Sequence, residues 1–176
     1  MLSIARLAAA DFESYRQGLG SLLLDCVAHG ASVGFLADLD IDAANIYFDQ
    51  VLAGMRDGTH LLWLAHDQGE VLGSVQLVLC QKPNGRNRAE VQKLLVHSNS
   101  RRRGIANSLM QCLEGEAAEL QRGLLYLDTE AGSDAEAFYQ SQGYTCIGGL
   151  PNYACGPDGQ YRANTIYYKT LSRPQP

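Results

Sequence analysis

The sequence predicts an α/β (α+β) protein with a mixed, mostly antiparallel central sheet and helices on both faces. A strand, an amphipathic helix and a second strand follow one another over residues 88–128, and such a crossover makes its two strands parallel. The strands before residue 88 are joined by short turns, which antiparallel neighbours allow and parallel ones do not. No repeat, low-complexity tract or linker divides the 176 residues, so residues 1–176 are predicted to form a single domain.

The N-terminal part of the chain is predicted to hold one strand and two helices. Leu2–Leu7 is a candidate short strand, and Asp11 is a candidate N-cap for a helix whose apolar residues recur every three or four positions. A glycine-bearing loop over His29–Asp38 follows. The second helix is predicted over Ile41–Arg56 and ends before Gly58.

The rest of the chain is predicted to hold six strands and two helices. Ser133, with Glu136 three residues later, is typical of a capping box at the start of the last helix. The C-terminal SRPQP, residues 172–176, is expected to be a frayed tail. The strands are predicted at 61–66, 71–80, 88–96, 124–128, 144–150 and 164–170, and the helices at 104–121 and from Ser133 to the residue before Gly143.

Composition and charge exclude several classes of protein. The formal net charge is −5, so the chain as a whole is not a nucleic-acid binder. The four histidines have no paired ligand spacing near a carboxylate, and no metal site is predicted. The five cysteines show no CxxC spacing, which is typical of reduced thiols. Since the chain shows no signal-peptide pattern and no apolar run of ~18 residues, we expect a cytoplasmic protein that does not enter a membrane.

Three consecutive arginines stand where a strand meets a helix, which is unusual in an acidic protein. A helix N-terminus has unpaired N–H groups and a partial positive charge. Gly104 leaves room for a ligand, and Arg101, Arg102 and Arg103 add positive charge. The turn therefore has the parts of a pyrophosphate site, although a solvated basic turn is an equally good explanation of the charge alone. Neither the P-loop pattern nor the GxGxxG pattern is present.

The spacing Arg101-x-x-Gly104-x-Ala106, directly after a strand ending in LLV, resembles the pyrophosphate loop of the GNAT N-acetyltransferase superfamily. AEAFYQSQGY, residues 135–144, is similar to the late helix of that superfamily. The resemblance implies the GNAT fold, acetyl-CoA as co-substrate and direct acetyl transfer to an amine. The sequence departs from the superfamily where Ser98 replaces a frequent proline and where Gly132 replaces an asparagine that contacts CoA.

The resemblance also implies roles for individual residues. Tyr139 matches the tyrosine that acts as general acid, although its helical position alone favours a core aromatic. Leu94, Leu95 and Val96 would offer backbone groups to the pantetheine arm. The pyrophosphate would be held by Arg101, Arg102, Arg103, Gly104, Ile105, Ala106, Asn107 and Ser108.

Two carboxylates are candidates for the general base. Glu90 shares a predicted strand face with Gln92, Leu94 and Val96 by period two. Asp128 ends a predicted parallel strand, and ligands of open α/β sheets lie at such ends. The alternatives are a salt bridge for Glu90 and capping of the following TEAG turn for Asp128. No cysteine is expected at the opening between the strands, so a cysteine nucleophile is disfavoured.

The acceptor is expected to be a small-molecule amine, covered by the loop His29–Asp38 and the tyrosine-rich C-terminal strands. GASVGF, CQKPNGRNRAEVQKL and RGLLYLDTEAG resemble acetyltransferases that inactivate tabtoxin-like β-lactam toxins. A protein or peptide N-acetyltransferase and a non-catalytic acyl-CoA-binding module are the alternatives. A homodimer and a monomer are both compatible with the sequence.

Overall fold

The computed structural model describes residues 1–171, and the predicted C-terminal tail lies outside them. The element order agrees with the sequence prediction, apart from an additional two-stranded hairpin, β7–β8, and three short 3-10 helices. The helices within the described residues are α1 (Phe12–Ala28), α2 (Ile41–Arg56), α3 (Ile105–Glu119) and α4 (Asp134–Ser141). The strands there are β1 (Ser3–Arg6), β2 (His60–Asp67), β3 (Glu70–Leu79), β4 (Arg88–Val96), β5 (Leu124–Glu130), β6 (Thr145–Gly148), β7 (Ala154–Cys155), β8 (Tyr161–Arg162) and β9 (Asn164–Thr170).

Seven strands form one sheet in the order β1-β2-β3-β4-β5-β9-β6. All neighbours in this sheet are antiparallel except β4 and β5, which α3 connects and which run parallel. The predicted fold class is therefore confirmed. No helix within residues 1–171 is long and apolar enough to span a membrane.

The sheet separates two apolar clusters. Residues of α1 and α2, such as Leu22 and Phe48, pack on one face together with Leu62 and Leu95 of the sheet. Residues of α3 and α4, such as Leu109 and Tyr139, pack on the other face. The predicted arrangement of helices on both faces follows from this burial, since each helix hides one apolar side against the sheet.

The parallel ladder between β4 and β5 is short. It runs from Arg88–Leu124 to Glu90–Tyr126 and then stops. Beyond this point β5 still pairs with β9 as far as Glu130, and β4 still pairs with β3. Beyond Glu90 and Tyr126, β4 and β5 therefore separate from each other while each stays paired with its other neighbour, and a gap opens between their ends.

A β-bulge in β4 accompanies this gap. Gln76 pairs with Gln92 whereas Ser74 pairs with Leu95, so β4 has one more residue than β3 over this interval. Lys93 lies at the irregularity with φ 50°, a left-handed conformation that a side chain adopts only under constraint. A bulge bends a strand and increases its twist, which carries β4 away from β5.

The bulge corrects the predicted face of Glu90. Strict alternation would put Glu90 on one face with Leu94 and Val96. The extra residue reverses the alternation, so Glu90 and Gln92 share the α1–α2 face with Leu95, while Leu94 and Val96 pack against the α3–α4 cluster.

Two capping predictions also need correction. Asp11 precedes α1 as expected, but its side chain accepts no capping hydrogen bond. Ser133 caps α4 by accepting from the Glu136 N–H, whereas the Glu136 carboxylate accepts from the Gly132 N–H and not from the Ser133 N–H. The capping box is therefore closed one residue earlier than the sequence pattern predicts.

Gly73→Ala is expected to destabilise the fold, because β3 passes very close to its neighbours at this position. A Cβ there would lie 2.9 Å from the Leu95 carbonyl oxygen and 3.0 Å from Ile105. We expect a loss of ~1–3 kcal/mol in the free energy of unfolding, measured by urea denaturation. Gly115→Ala, on the exposed side of α3 with nothing within 4 Å, is the matched control and should stabilise by up to ~1 kcal/mol. Equal effects of the two substitutions would contradict this packing.

Candidate active site

The turn between β4 and α3 presents an uncapped helix N-terminus. No side chain in the described part of the chain caps α3, whose N-cap residue is Gly104. The Ser108 N–H is the helical amide that returns to the Gly104 carbonyl, at 3.0 Å. The N–H groups of Ile105, Ala106 and Asn107 precede that bond and are the unsatisfied donors to which an anion binds at a helix N-terminus.

Two residues of the turn adopt left-handed backbone conformations. Arg102 has φ 61° and Gly104 has φ 77°. Glycine is the residue that adopts such conformations most readily. No heavy atom lies within 4 Å of a Cβ built at Gly104, so the backbone is open to close approach. Arg101, Arg102 and Arg103 are all exposed around it. The residues present therefore fit a pyrophosphate.

Asp25 of α1 holds the start of this turn, and the sequence analysis missed it. Its carboxylate accepts from the Ser98 N–H at 2.7 Å and from the Ser98 hydroxyl at 2.8 Å. Burial opposes ionisation of Asp25, but these hydrogen bonds and the nearby imidazoles of His97 and His29 lower its pKa below the usual value. Two features of the sequence could have indicated this contact. An aspartate stands within the apolar stretch LLLDCV, and Ser98, which stands where a proline is frequent, has an N–H that can donate a hydrogen bond.

The end of β4 that contains Leu94, Leu95 and Val96 borders the gap. Leu95 and Val96 pair with Ser74 and Gly73 of β3, and neither pairs with β5. The backbone on the gap side is thus available to an extended ligand. Nε of Arg101 lies 3.5 Å from the Val96 carbonyl, which joins this edge to the arginine turn.

Cys26 lies closer to this edge than the sequence analysis expected. Its thiol contacts the Val96 carbonyl oxygen, with Sγ at 3.6 Å. Burial, together with the charge of Asp25, raises the pKa of Cys26 to about 11. The thiol is therefore protonated at neutral pH and is a poor nucleophile. All five cysteines are free.

Tyr139 is a core aromatic, as its helical position predicts. Its ring is buried in the core and packs at an angle against Phe138 and Tyr144, with centroids 5.5 and 5.6 Å away. Burial and, less strongly, the charge of Asp128 raise the pKa of its phenol. The phenol is therefore protonated at neutral pH, and the charge of Asp128 acts on it.

Asp128 lies on β5 beyond the last pair with β4, where its side chain is exposed. The Asn164 side-chain amide donates to it at 3.4 Å, so its observed partner is on β9 and not in the TEAG turn. Glu90 is half-buried at the last paired position. No ion pair within residues 1–171 includes Glu90 or Asp128, so the salt bridge that was the alternative for Glu90 is not observed.

The α1–α2 face of the sheet beside the gap, which we call the acceptor face, has aromatic and polar side chains that the sequence did not predict. The Lys93 ammonium lies against the rings of Phe35 and Tyr47. The Tyr47 hydroxyl donates to Gln76 at 2.8 Å, and His60 contacts the same Gln76 oxygen at 2.9 Å. These residues come from the loop before α2 and from four elements, α2, β2, β3 and β4, and the bulge at Lys93 directs the lysine toward them.

The predicted tyrosine-rich cover is only partly present on this face. Tyr168 pairs with Tyr126, on the same face as Asp128. Tyr167 lies on the opposite face, where it is buried and hydrogen-bonded to Glu136 and Gln140. Two further tyrosines of the predicted cover, Tyr153 and Tyr161, are exposed. Tyr153 lies just before β7, and Tyr161 lies in β8.

Comparison with known proteins agrees with this geometry. The family model described as "Acetyltransferase (GNAT) domain" matches residues 58–146, which include β4, the arginine turn, β5 and α4. The chain belongs to the GNAT acetyltransferase family. It is therefore an acyltransferase, and the acetyl donor of GNAT acetyltransferases is acetyl-CoA, as the arginine turn predicts. Among residues 1–171, no group of three or more potential metal ligands is found.

Solved structures with the same fold cover nearly the whole chain. A ribosomal-protein-alanine N-acetyltransferase from Brucella melitensis is 24% identical, with a TM-score of 0.77, over 96% of this chain and 99% of that chain. The protein yncA from Salmonella typhimurium, solved with its cofactor acetyl-CoA, is 17% identical, with a TM-score of 0.76, over 100% and 97%. An Acinetobacter baylyi structure is 16% identical, with a TM-score of 0.81, over 99% and 95%.

Gly104→Ala is expected to weaken binding of CoA by about tenfold or more, because a methyl group would strain the left-handed backbone and fill the open space beside it. Isothermal titration with CoA measures this directly. Gly58→Ala is the matched control, because its φ is 69° and its surroundings are equally open. Gly58 lies just before the start of β2 and is not part of the arginine turn. Both substitutions should cost ~1–2 kcal/mol of backbone strain. Similar losses of CoA affinity in both variants would contradict the assignment.

Proposed function

We propose that this protein transfers the acetyl group of acetyl-CoA directly to the amine of a small, amino-acid-like molecule. The observation that carries the proposal is the gap between β4 and β5, which has Asp128 and Tyr139 beside it and the uncapped start of α3 at its end. We also propose that residues 1–176 form a single domain. It is supported by a sheet that includes both Ser3 and Thr170.

The donor side consists of backbone groups and arginines. Residues 101–108 hold the pyrophosphate through the N–H groups of the helix start and the exposed guanidinium groups. The edge Leu94–Val96 hydrogen-bonds to the pantetheine arm as a neighbouring strand would. Asp25 keeps the turn in position through its two hydrogen bonds with Ser98.

Acid–base chemistry needs a group that accepts a proton from the amine and one that donates a proton to the departing sulfur. Tyr139 donates its phenolic proton to the thiolate; its raised pKa keeps the phenol protonated at neutral pH and also makes it a weaker acid than a free phenol. Asp128 accepts the amine proton, directly or through a water molecule. Its position beyond the last β4–β5 pair and its charge coupling to Tyr139 favour it over Glu90.

The cover over the acceptor face favours a small substrate. Phe35 of the loop His29–Asp38 packs edge-on against Tyr47 at 5.3 Å. The Ala37 N–H of the same loop donates to the Pro157 carbonyl at 3.1 Å. The loop thus crosses from α2 to the β7–β8 hairpin, and a long peptide would have to displace it.

The resemblance to the tabtoxin resistance protein, an acetyltransferase that inactivates a β-lactam dipeptide toxin, supports the same substrate class. GASVGF lies in the covering loop. CQKPNGRNRAEVQKL includes Glu90 and the bulge, and RGLLYLDTEAG includes Asp128. The similar stretches are therefore the ones that line the gap and the acceptor face.

Acetylation of a protein N-terminus is the second candidate. It is favoured by the likeness to the ribosomal-protein-alanine N-acetyltransferase from Brucella melitensis. The crossing loop argues against it. A peptide whose amine is acetylated rapidly by this protein would support the second candidate.

Release of free CoA from acetyl-CoA tests the proposed function. The acceptors are free amino acids, β-lactam amino-acid toxins and short peptides that begin with alanine. We expect turnover with members of the first two groups and little with the peptides. CoA binding without turnover of any small amine would contradict the proposal, and turnover of peptides alone would favour the second candidate.

Tyr139→Phe is expected to lower kcat by about 100-fold or more, since it removes one proton donor without changing the packing. The Kd for CoA should stay within about twofold. Tyr144→Phe is the matched control, because this neighbouring phenol lies near the charge of Glu114 and not near Asp128. Steady-state kinetics at saturating acetyl-CoA measures both variants. Retention of full activity by Tyr139→Phe would exclude the acid role.

A further inference from the structure

Lys93 is the cation on the acceptor face. Its Nζ lies 5.6 Å from the ring centroid of Tyr47 and 6.0 Å from that of Phe35. A Cβ built at Gly34 would lie 3.8 Å from the same Nζ. The ammonium therefore lies between the sheet, α2 and the covering loop.

The charge of Lys93 has no paired carboxylate in the described part of the chain, since none of the ion pairs there includes it. Burial lowers the pKa of Lys93, although the charges of Asp128 and Glu90 oppose this effect. A half-buried cation without a direct partner is costly, and an anion that reaches it gains a charge-assisted hydrogen bond.

The same face has a second donor without an acceptor. Gln76 is fully buried, and its side-chain oxygen already interacts with Tyr47 and His60. Its amide nitrogen has no hydrogen-bond partner within residues 1–171. The acceptor face thus has an unpartnered amide in addition to Lys93, and the charges of Asp128 and Glu90 act on the lysine from a longer range than an ion pair.

We propose that Lys93 binds the carboxylate of an acceptor whose reacting amine lies beside Asp128, so that the substrate class is a free α-amino acid or a close analogue. This assignment rests on the proposed acetyl transfer and adds the group that selects the acceptor. A zwitterion has one ammonium and one carboxylate, and the acceptor face has Asp128 and Lys93 as groups of opposite charge that act on each other without a direct ion pair. Lys93 is a specificity residue here and transfers no proton.

The bulge explains why a lysine at this position can serve the site. With φ 50° at Lys93 and one extra residue in β4, the side chain turns toward the rings of Phe35 and Tyr47. It lies one residue before the edge Leu94–Val96. The carboxylate anchor and the pantetheine edge are therefore neighbours in one strand, and the acceptor is held close to the donor.

The selectivity that follows separates amino acids from peptides. The terminal amine of a peptide is followed by an amide and lacks the adjacent carboxylate. Binding it would leave Lys93 without an anion and would place a neutral group beside a buried charge, which is unfavourable. An α-amide of an amino acid has the same defect and keeps the side chain and the position of the amine, so it is the probe for the carboxylate.

The experiment compares L-amino acids that are turned over with their α-amides, using wild type, Lys93→Met and Lys93→Arg. For wild type, we expect kcat/KM to be about tenfold or more higher for the acid than for the amide. Lys93→Met should lose this preference, because its kcat/KM falls for the acid and not by the same factor for the amide. Lys93→Arg should restore part of the preference because it restores the charge.

An unchanged Kd for CoA shows that Lys93→Met remains folded. If wild type acetylates acid and amide equally, or if Lys93→Met lowers both rates by the same factor, the carboxylate role is wrong while acetyl transfer stands. If neither acids nor amides are acetylated, the proposed function itself is contradicted, and the assignment of Lys93 falls with it.

Discussion

The early end of pairing between β4 and β5 is the constraint on which the rest of the site depends. Two parallel strands joined by α3 would ordinarily hydrogen-bond along their length. Here the ladder stops at Glu90–Tyr126, and the extra residue at Lys93 bends β4 away. Backbone groups of β4 are left for a ligand, and the carboxyl end of β5 opens toward α4.

The two sides of the gap are built from different parts of the chain. The donor side is local in sequence, since β4, the arginine turn and the start of α3 follow one another; its distant support is Asp25, which is 73 residues from Ser98. The acceptor face joins residues from the covering loop, α2, β2, β3, β4 and β5. This difference explains how a common donor site can coexist with an acceptor site that varies among members of one fold.

Local patterns predicted the elements well and the long-range contacts poorly. The bounds of α2 and β4 agree with the sequence prediction because turn and capping residues flank both segments. The arginine turn, Tyr139 and Asp128 were identified from motif spacing and strand ends, and their catalytic roles remain predictions. The bulge at Lys93 was not predictable, since period two assumes that no residue is added. The contacts of Asp25 and Cys26 with the end of β4 depend on how α1 packs and leave no periodic signal.

A crystal structure of the protein with CoA tests the central claim most directly. The account predicts the pantetheine arm between β4 and β5, alongside Leu94–Val96, with the pyrophosphate at the N–H groups of residues 101–108. The sulfur should then lie near Tyr139 and Asp128. A CoA molecule bound elsewhere, with the gap between β4 and β5 closed or filled by side chains, would contradict it.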